Sequence, residues 1–223
     1  MKWTTALTTL EQVGERCAHV AAQPAGIIAL RVSEAWVFGP LLGPVRPEVD
    51  DVDGVRVALV TDAASADLAW GTRPAGAGQW LAASGLEKRP VRLVLRPGDG
   101  PVGNHAVDRP VRFWSLADGL DHDVLRALRA GDGEHLRPEP PTAEEAGQQL
   151  AAELAVSLAA VRRASADHDE HRWAPGNPLK RSDALAAAVT GYLELLTAQE
   201  TTQDAARDAA GGTVGGSGAG VGS

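Results

Sequence analysis

The sequence predicts an α+β fold, with a mixed β-sheet of about four to five strands, an N-terminal helix and a C-terminal α-helical hairpin. Three observations predict this class. The chain opens with an amphipathic helical pattern, continues with β-branched segments separated by Gly and Pro, and closes with two long helical stripes. We divide it into an α/β domain over residues 1–137, a helical hairpin over 138–200 and a flexible Gly/Ser-rich tail over 201–223.

The first element is an amphipathic helix predicted over residues 3–22. Its apolar side chains recur at steps of three and four residues, and they are Leu7, Leu10, Val13, Cys17 and Val20. Pro24 and Gly26 end the pattern. Cys17 is the only cysteine in the chain, which excludes an internal disulfide and a cysteine-based zinc site, so we expect a buried structural thiol.

Four segments between the first helix and residue 115 have the composition of β-strands. They span residues 27–38, 54–60, 91–97 and 111–115. The second becomes apolar throughout, which is typical of an interior strand. A short helix is expected near residues 78–83, and Asp121 is a candidate N-cap for another short helix that follows the last strand.

Three prolines within residues 138–141 separate the sheet region from the predicted helical hairpin. Thr142 followed by Glu145 is the pattern of a capping box at the start of the first helix. The second helix is predicted from Ser182 to about Gln199, because large apolar side chains recur on one face. Ala-rich faces on both helices would permit close approach between chains, so they are a candidate surface for oligomerisation.

The bulk composition excludes several classes of function. The net charge is −8 and the pI is near 5.2, which argues against binding to nucleic acid or anionic lipid, because both need clustered Lys and Arg. No segment approaches the ~20 apolar residues of a membrane span, so we expect a soluble, cytoplasmic protein. Six Trp residues dominate the aromatic set, and we expect most of them to fill a core built from Ala, Leu and Val.

The chemistry-bearing stretch lies between the first two predicted strands. A strand that ends in Phe38-Gly39 leads through a Gly/Pro turn into a strand entered through Asp51-Val52-Asp53. This order resembles the minimal nucleotidyltransferase superfamily, whose signature is a hydrophobic strand, Gly-Ser and a strand that opens with Asp-x-Asp. The resemblance implies that Asp51 and Asp53 are catalytic residues that hold Mg²⁺, and that Gly39 admits nucleotide phosphates close to backbone N–H groups.

The chain departs from that superfamily at three points. Pro40 stands where the serine is expected, Leu41 and Leu42 replace basic residues, and a third carboxylate has no clear candidate. We therefore predict a degenerate nucleotidyltransferase-like protein that serves as a non-catalytic binding or regulatory module. Two alternatives stay open. One is a Mg²⁺-dependent nucleotidyltransferase that uses Asp51 and Asp53, and the other is a scaffold that forms homo-oligomers through its C-terminal helices.

The chain is also similar to an uncharacterised bacterial family of unknown function. The segments that carry this resemblance are MKWTTAL, WVFG, VDGVRVAL, NHAVDRPVRFWS and GYLELL. Membership of that family implies a shared shape and assigns no chemistry to particular residues.

A second candidate site lies in the polar loop over residues 98–110. His105 with the nearby Asp108 could act as a catalytic general base, since the pKa of histidine lies near neutral pH. The same loop residues could equally do no more than cap a turn. Arg109 and Arg112 could pair with the acidic segment that opens the second strand and close the mouth of the sheet without a ligand.

A third candidate is the segment 162–173, at the end of the first hairpin helix. Arg163 and His168 resemble the Arg/His pair of the helical ribonuclease domains that often accompany minimal nucleotidyltransferases. The acidic residues around them argue against RNA binding, and a solvated helix end is the alternative interpretation.

Overall fold

A five-stranded mixed sheet forms the centre of the molecule. The computed structural model describes residues 1–24, 26–49, 54–171 and 178–211. The strands are β1 (Val32–Phe38), β2 (Val55–Thr61), β3 (Val91–Pro97), β4 (Val111–Ser115) and β5 (Gly119–Leu120). Their order is β3-β2-β1-β4-β5, with β2 and β3 parallel and the other neighbours antiparallel. The predicted mixed sheet is confirmed, and β2 is an interior strand as expected.

Five α-helices accompany the sheet within the described ranges. They are α1 (Trp3–Ala21), α2 (Ala77–Ser84), α3 (His122–Ala130), α4 (Ala143–Glu170) and α5 (Pro178–Gly211). The predicted helix starts are confirmed, because the Asp121 carboxylate caps α3, and Thr142 and Glu145 form a reciprocal capping box on α4. The last helix extends beyond the predicted 182–199 at both ends.

The first strand is shorter than its composition indicates. It begins at Val32, whereas the apolar pattern starts at residue 27. Ile28 and Leu30 are buried, but their backbone does not join the sheet ladder. The turn that precedes α2 lies against this segment so closely that a Cβ at Gly76 would lie 2.8 Å from the backbone N of Leu30. Packing against a distant turn therefore overrides the local strand propensity.

The sheet is covered by helices on both faces. Leu93 and Leu95 of β3 face the larger core, which contains the buried sides of α1, α2 and α3. A smaller core joins Phe38 and Ala58 on the opposite face to Leu150 of α4 and Leu195 of α5. The α4–α5 hairpin is thus packed against the sheet face that α1–α3 leave open.

The tryptophans and the single cysteine have the structural roles expected of them. The buried tryptophans are Trp3, Trp70, Trp80 and Trp114, while Trp36 is half-buried and Trp173 lies outside the described residues. Cys17 is buried on α1, and burial raises the pKa of its thiol to about 12, so it stays protonated. Among the helices in the described ranges, none combines the length and the apolar character needed to cross a membrane.

Candidate functional site

Gly39 stands at the end of β1, where the backbone turns sharply. Its φ of 77° lies in the left-handed region that favours glycine. A Cβ at this position would also lie 3.0 Å from Cδ of Arg56 on β2. The next residues form a 3₁₀ turn in which Leu41 and Leu42 are completely buried. The two leucines that replace basic residues of the nucleotidyltransferase pattern therefore anchor this corner to the core.

The predicted metal ligands Asp51 and Asp53 lie outside the described residues, so their role stays a prediction. Within the ranges that the structure describes, no group of three or more His, Cys, Asp or Glu side chains is arranged to hold a metal ion. Arg112, a candidate partner of the acidic segment, lies on β4 and pairs with Glu34 of β1 at 3.1 Å. The guanidinium group of Arg112 therefore links β4 to β1.

A group of ion pairs holds the turn at Gly39, which we call the Gly39 corner. Arg137 donates from Nη2 to the Gly39 carbonyl at 3.3 Å, and its Nη1 lies 3.1 Å from the carboxylate of Asp108. Glu134 accepts a hydrogen bond from Arg109 at 2.8 Å and lies 2.9 Å from Nε of Arg137. The Arg109 hydrogen bond is the main cause that lowers the pKa of Glu134. Asp108, considered above as a partner for His105, is engaged by Arg137.

His105 lies against the indole of Trp70, on the side of the sheet that carries the hairpin. The two ring centroids are 4.9 Å apart and the planes meet at 67°, which is an edge-to-face contact. Partial burial lowers the pKa of His105 below its ordinary value, and Arg96 acts in the same direction, whereas Glu153 and Glu194 oppose the shift. These effects together favour the neutral form of the imidazole.

The carboxylate of Glu153 on α4 is surrounded by hydrogen-bond donors. It accepts from Nη2 of Arg96 at 2.7 Å, from Nδ2 of Asn104 at 2.9 Å and from Nε2 of Gln149 at 3.2 Å. Arg96 is almost fully buried and also donates to the carbonyl of Pro101 at 2.9 Å. A buried guanidinium needs such a partner, because an unpaired charge in this environment would cost several kcal/mol. The network ties α4 and the 98–110 loop to the end of β3.

The alternative interpretation of the 98–110 loop, that its polar residues cap a turn, applies to Asn104. Its Oδ1 accepts from the backbone N–H groups of Ala106 and Val107 at 3.0 and 2.9 Å. This cap fixes the turn that presents His105 to Trp70.

Trp70 connects the segment after β2 to both hairpin helices. Its backbone N–H donates to Oγ of Ser157 on α4 at 3.3 Å, and its indole Nε1 donates to Glu194 of α5 at 2.7 Å. The backbones approach so closely that a Cβ built on Gly191 of α5 would overlap the carbonyl oxygen of Trp70. Gly71, with φ of 73°, lies at the same contact. Glycine is thus required on α5 for this packing.

These contacts form one wall of a groove that runs along β3. The groove has a volume of about 570 Å³ and follows residues 91–95, which form its floor. Residues 70–73 and Glu194 form the wall on the hairpin side, and Leu81 with residues 86–87 forms the wall on the α2 side. We call this feature the β3-edge groove, because β3 is the outermost strand on this side of the sheet. A volume of this size is typical of ligand sites.

The hairpin also carries the third sequence candidate and the predicted oligomerisation surface. Arg163 is exposed, and Nδ1 of His168 lies 3.7 Å from the carboxylate of Asp169, so this segment has the features of a solvated helix end. On α5, Val189 and Leu193 are exposed apolar side chains. Contact between copies of the chain through these helices stays a prediction.

The fold and its groove together define an α+β domain with helices on both faces of a mixed sheet and a walled hollow at one sheet edge. The chain belongs to a family described as a domain of unknown function (DUF7711), whose model matches residues 1–201. No curated protein and no solved structure matches the chain. The predicted membership of an uncharacterised family is confirmed, while none of these comparisons gives a relationship to nucleotidyltransferases.

The sequence identifies His105 as a candidate whose catalytic role stays a prediction, and it gives no sign of the groups that surround the imidazole. Trp70 and Glu194 are 124 residues apart, and Arg96 and Glu153 are 57 residues apart, so no local spacing connects them. The alternation of VRLVLRP predicts a strand but not its place at the edge of the sheet.

Proposed function

We propose that this domain is a non-catalytic binding module whose ligand lies in the β3-edge groove. The observation that carries the proposal is the juxtaposition of a backbone edge, an aromatic side chain and charged groups around one hollow of about 570 Å³. Backbone N–H and C=O groups, an indole and a few charged side chains are the groups with which proteins orient bound ligands.

The polar groups beside the groove support binding more than proton transfer. Glu153 accepts from three side-chain donors, and Glu194 accepts from the indole of Trp70. His105 directs its ring against the same indole. A general base must reach the proton that it removes, whereas these groups hold the walls of the groove in place.

The proposal is tested by nuclear magnetic resonance with a library of small fragments. We expect a subset of fragments to shift the indole N–H resonance of Trp70 and the amide resonances of residues 91–95, because both line the groove. Trp36 provides a matched control, since its indole N–H donates to Glu34 at 2.9 Å on the same sheet face but does not line the groove.

The binding proposal fails if no fragment shifts the groove resonances. It also fails if fragments shift the Trp36 indole and the Gly39 corner and leave Trp70 unchanged, because the ligand site would then lie elsewhere.

The Gly39 corner supports a second candidate, the Mg²⁺-dependent nucleotidyltransferase. Arg56 lies beside Gly39 on β2, the strand that follows Asp51 and Asp53 in the chain. It is in register with Arg92 on β3, so the two guanidinium groups lie on the same face of the sheet. Guanidinium groups are common partners of phosphate oxygens. This candidate predicts ATP binding that requires Mg²⁺ or Mn²⁺.

Titration calorimetry with ATP and Mg²⁺ tests this second candidate. We expect measurable heat for the wild-type protein and none for a double variant Asp51→Asn/Asp53→Asn that retains its fold by circular dichroism. Equal heat for both proteins, or heat that does not depend on the metal, would exclude a role for the two aspartates in holding a metal–nucleotide complex.

A further inference from the structure

We propose that the ligand of the β3-edge groove is an extended segment of another protein, which pairs with β3 as a sixth strand of the sheet. The proposal rests on the proposed function, because it names the class of ligand that the same groove binds. Strand addition of this kind derives affinity from main-chain hydrogen bonds and specificity from the side chains that flank them.

The first observation is that, among the described residues, one side of β3 has no strand partner. β3 pairs with β2 along its whole length, from Val55↔Val91 to Thr61↔Pro97. Within residues 1–24, 26–49, 54–171 and 178–211, no strand pairs with its outer side. An edge strand presents alternate N–H and C=O groups outward, and these groups are complementary to the backbone of an extended chain.

The second observation is that β3 is long and regular for an edge strand, and that its charged residues are limited to Arg92 and Arg96. Its register with β2 is unbroken, so no bulge twists the edge away. Proline occurs only at its last residue, Pro97, and the strand spans seven residues. Four of its apolar side chains are only partly buried, namely Val91, Leu93, Val94 and Leu95. Natural proteins usually shorten, charge or cover such an edge.

The third observation is that the two walls of the groove differ in chemistry. Leu93 and Leu95 belong to the larger core on the α2 side, where Leu81 and Leu86 form the wall. Val94 belongs to the smaller core on the hairpin side, beside Trp70. Successive side chains of an added strand point to opposite faces, so alternate residues of the segment would meet an aliphatic wall and a polar, aromatic wall.

The charged side chains of the groove indicate which polar residues the bound segment should contain. Arg73 and Arg92 both line the groove, while the carboxylate of Glu194 accepts from the indole of Trp70. Glu87 lies 3.8 Å from Arg73, so this ion pair links the two walls and must open when a segment enters the groove. Both side chains are well exposed, so the pair contributes under about 1 kcal/mol and a carboxylate of the segment can replace Glu87. The segment should therefore alternate apolar residues with polar residues that include at least one carboxylate.

The shape of the groove favours a single extended segment over a second copy of this chain. In a dimer formed through this edge, β3 of each copy would have to reach the other β3. Residues 70–73 and 86–87 flank each β3, so pairing of two copies would have to bring both pairs of flanking segments together as well as the two edges. An extended peptide has no such walls, and about seven residues of it match the length of β3.

Selection from a random peptide library displayed on phage tests the proposal with the full-length protein. We expect selected peptides of about seven to nine residues to show an alternating apolar and polar pattern that includes Asp or Glu.

Each selected peptide is then synthesised with one backbone N-methyl group at a time, which removes one backbone hydrogen-bond donor. We expect methylation at alternate positions to weaken binding at least about tenfold, and methylation between them to have little effect. Bound peptide should also slow amide hydrogen exchange in residues 91–95.

A charge reversal separates the groove from the rest of the surface. Arg73→Glu should weaken binding of the acidic peptides by about three- to tenfold, because one carboxylate loses its partner and meets a like charge. Arg126→Glu is the matched control, since Arg126 is an exposed arginine on α3 that does not line the groove, and it should leave the affinity unchanged.

The possible results are distinguishable. If fragments bind the groove but the library yields no binder, or yields peptides without the alternating sensitivity to N-methylation, strand addition is wrong while the binding module stands. If neither fragments nor peptides perturb the groove, both proposals fail. A concentration-dependent dimer in sedimentation velocity that protects residues 91–95 from exchange would also overturn the proposal, because a second copy would then be the occupant.

Discussion

The two edges of the sheet end in different ways. At one edge, β5 contains only two residues, Gly119 and Leu120, and it offers little backbone for pairing. At the other edge, β3 contains seven residues with an unbroken register, and it lies at the floor of a groove. A short edge strand is one way in which proteins avoid unwanted pairing. The β5 edge is therefore protected by its shortness, whereas the longer β3 edge lies along a groove.

The walls of the β3-edge groove depend on contacts with the hairpin, whereas the β5 edge lies near α1, where Leu120 packs beside Gly14. Variants that weaken the hairpin contacts should therefore affect the β3 edge and leave the β5 edge intact. Three predictions test this difference, and they are given in order from the largest expected effect to the smallest.

Removal of the Glu153 carboxylate should have the largest effect. In Glu153→Ala the almost fully buried Arg96 loses its charged partner, and Asn104 loses an acceptor. We expect the free energy of unfolding in urea to fall by about 3 kcal/mol, because an unpaired buried charge remains. Hydrogen exchange should accelerate in β3 more than in β5.

Two further variants serve as controls for this prediction. Glu153→Gln keeps hydrogen-bond capacity and should lose less stability than the alanine variant. Arg126→Ala breaks an exposed pair with Asp123 at 3.0 Å and should change stability by less than about 1 kcal/mol. A loss in Glu153→Ala no larger than in Arg126→Ala would contradict a structural role for the network.

The same substitution at two helical glycines should have opposite effects. In Gly191→Ala the added methyl would overlap the carbonyl of Trp70, so α5 must move away from the wall at residues 70–73. We expect a loss of about 1–3 kcal/mol in urea denaturation, and increased self-association in light scattering as the β3 edge becomes less recessed.

The control is Gly147→Ala on α4, where no atom lies within 4 Å of an added Cβ. It should raise stability by up to about 1 kcal/mol, because alanine is the better helix former. Equal effects of the two substitutions would mean that α5 does not support the groove wall.

The smallest predicted effect is a pH dependence from His105. Its pKa in the folded protein is lower than the ordinary value of 6.5, chiefly because of burial, and the unfolded chain therefore takes up the proton first as the pH falls. The stabilising contribution is fully present above about pH 6.5 and is lost as the pH falls through the folded pKa. Stability should thus decrease slightly between about pH 7 and pH 5.

The imidazole resonance of His105 in a nuclear magnetic resonance titration reports this pKa directly. A midpoint at or above 6.5 would contradict the prediction. In His105→Asn the pH dependence of stability over that range should be reduced. The nearby groups Arg96, Glu153 and Glu194 are unchanged in this comparison.

Features encoded by neighbouring residues could be predicted from the sequence. The capping box at Thr142 and the N-cap at Asp121 involve residues within three positions of each other, so their signals are local. The pattern that ends at Phe38 predicts a strand that begins too early, at residue 27, whereas β1 begins at Val32. The reason is that Leu30 packs against the turn at Gly76, which lies far along the chain. β5 was not predicted, since two residues are too few to show an alternating pattern.

The candidate site shows the same division. His105 and Gly39 could be selected as candidates by residue type and motif, whereas the side chains that surround them could not be predicted. Arg56 meets Gly39 through strand pairing, and Trp70 meets His105 through packing of two loops. Such contacts depend on the order and register of strands, which a single sequence pattern does not specify.

The sequence by itself determined the helices, the four longer strands, the α+β class and the acidic character that argues against nucleic acid as a partner. Tertiary structure decided that β3 is an edge, that Trp70 and Glu194 stand beside it, and that a groove runs along it. The physical reason is the range of the interactions. Helix caps and apolar periodicity act over a few residues, whereas strand order and groove walls arise when segments up to 124 residues apart bury their surfaces together.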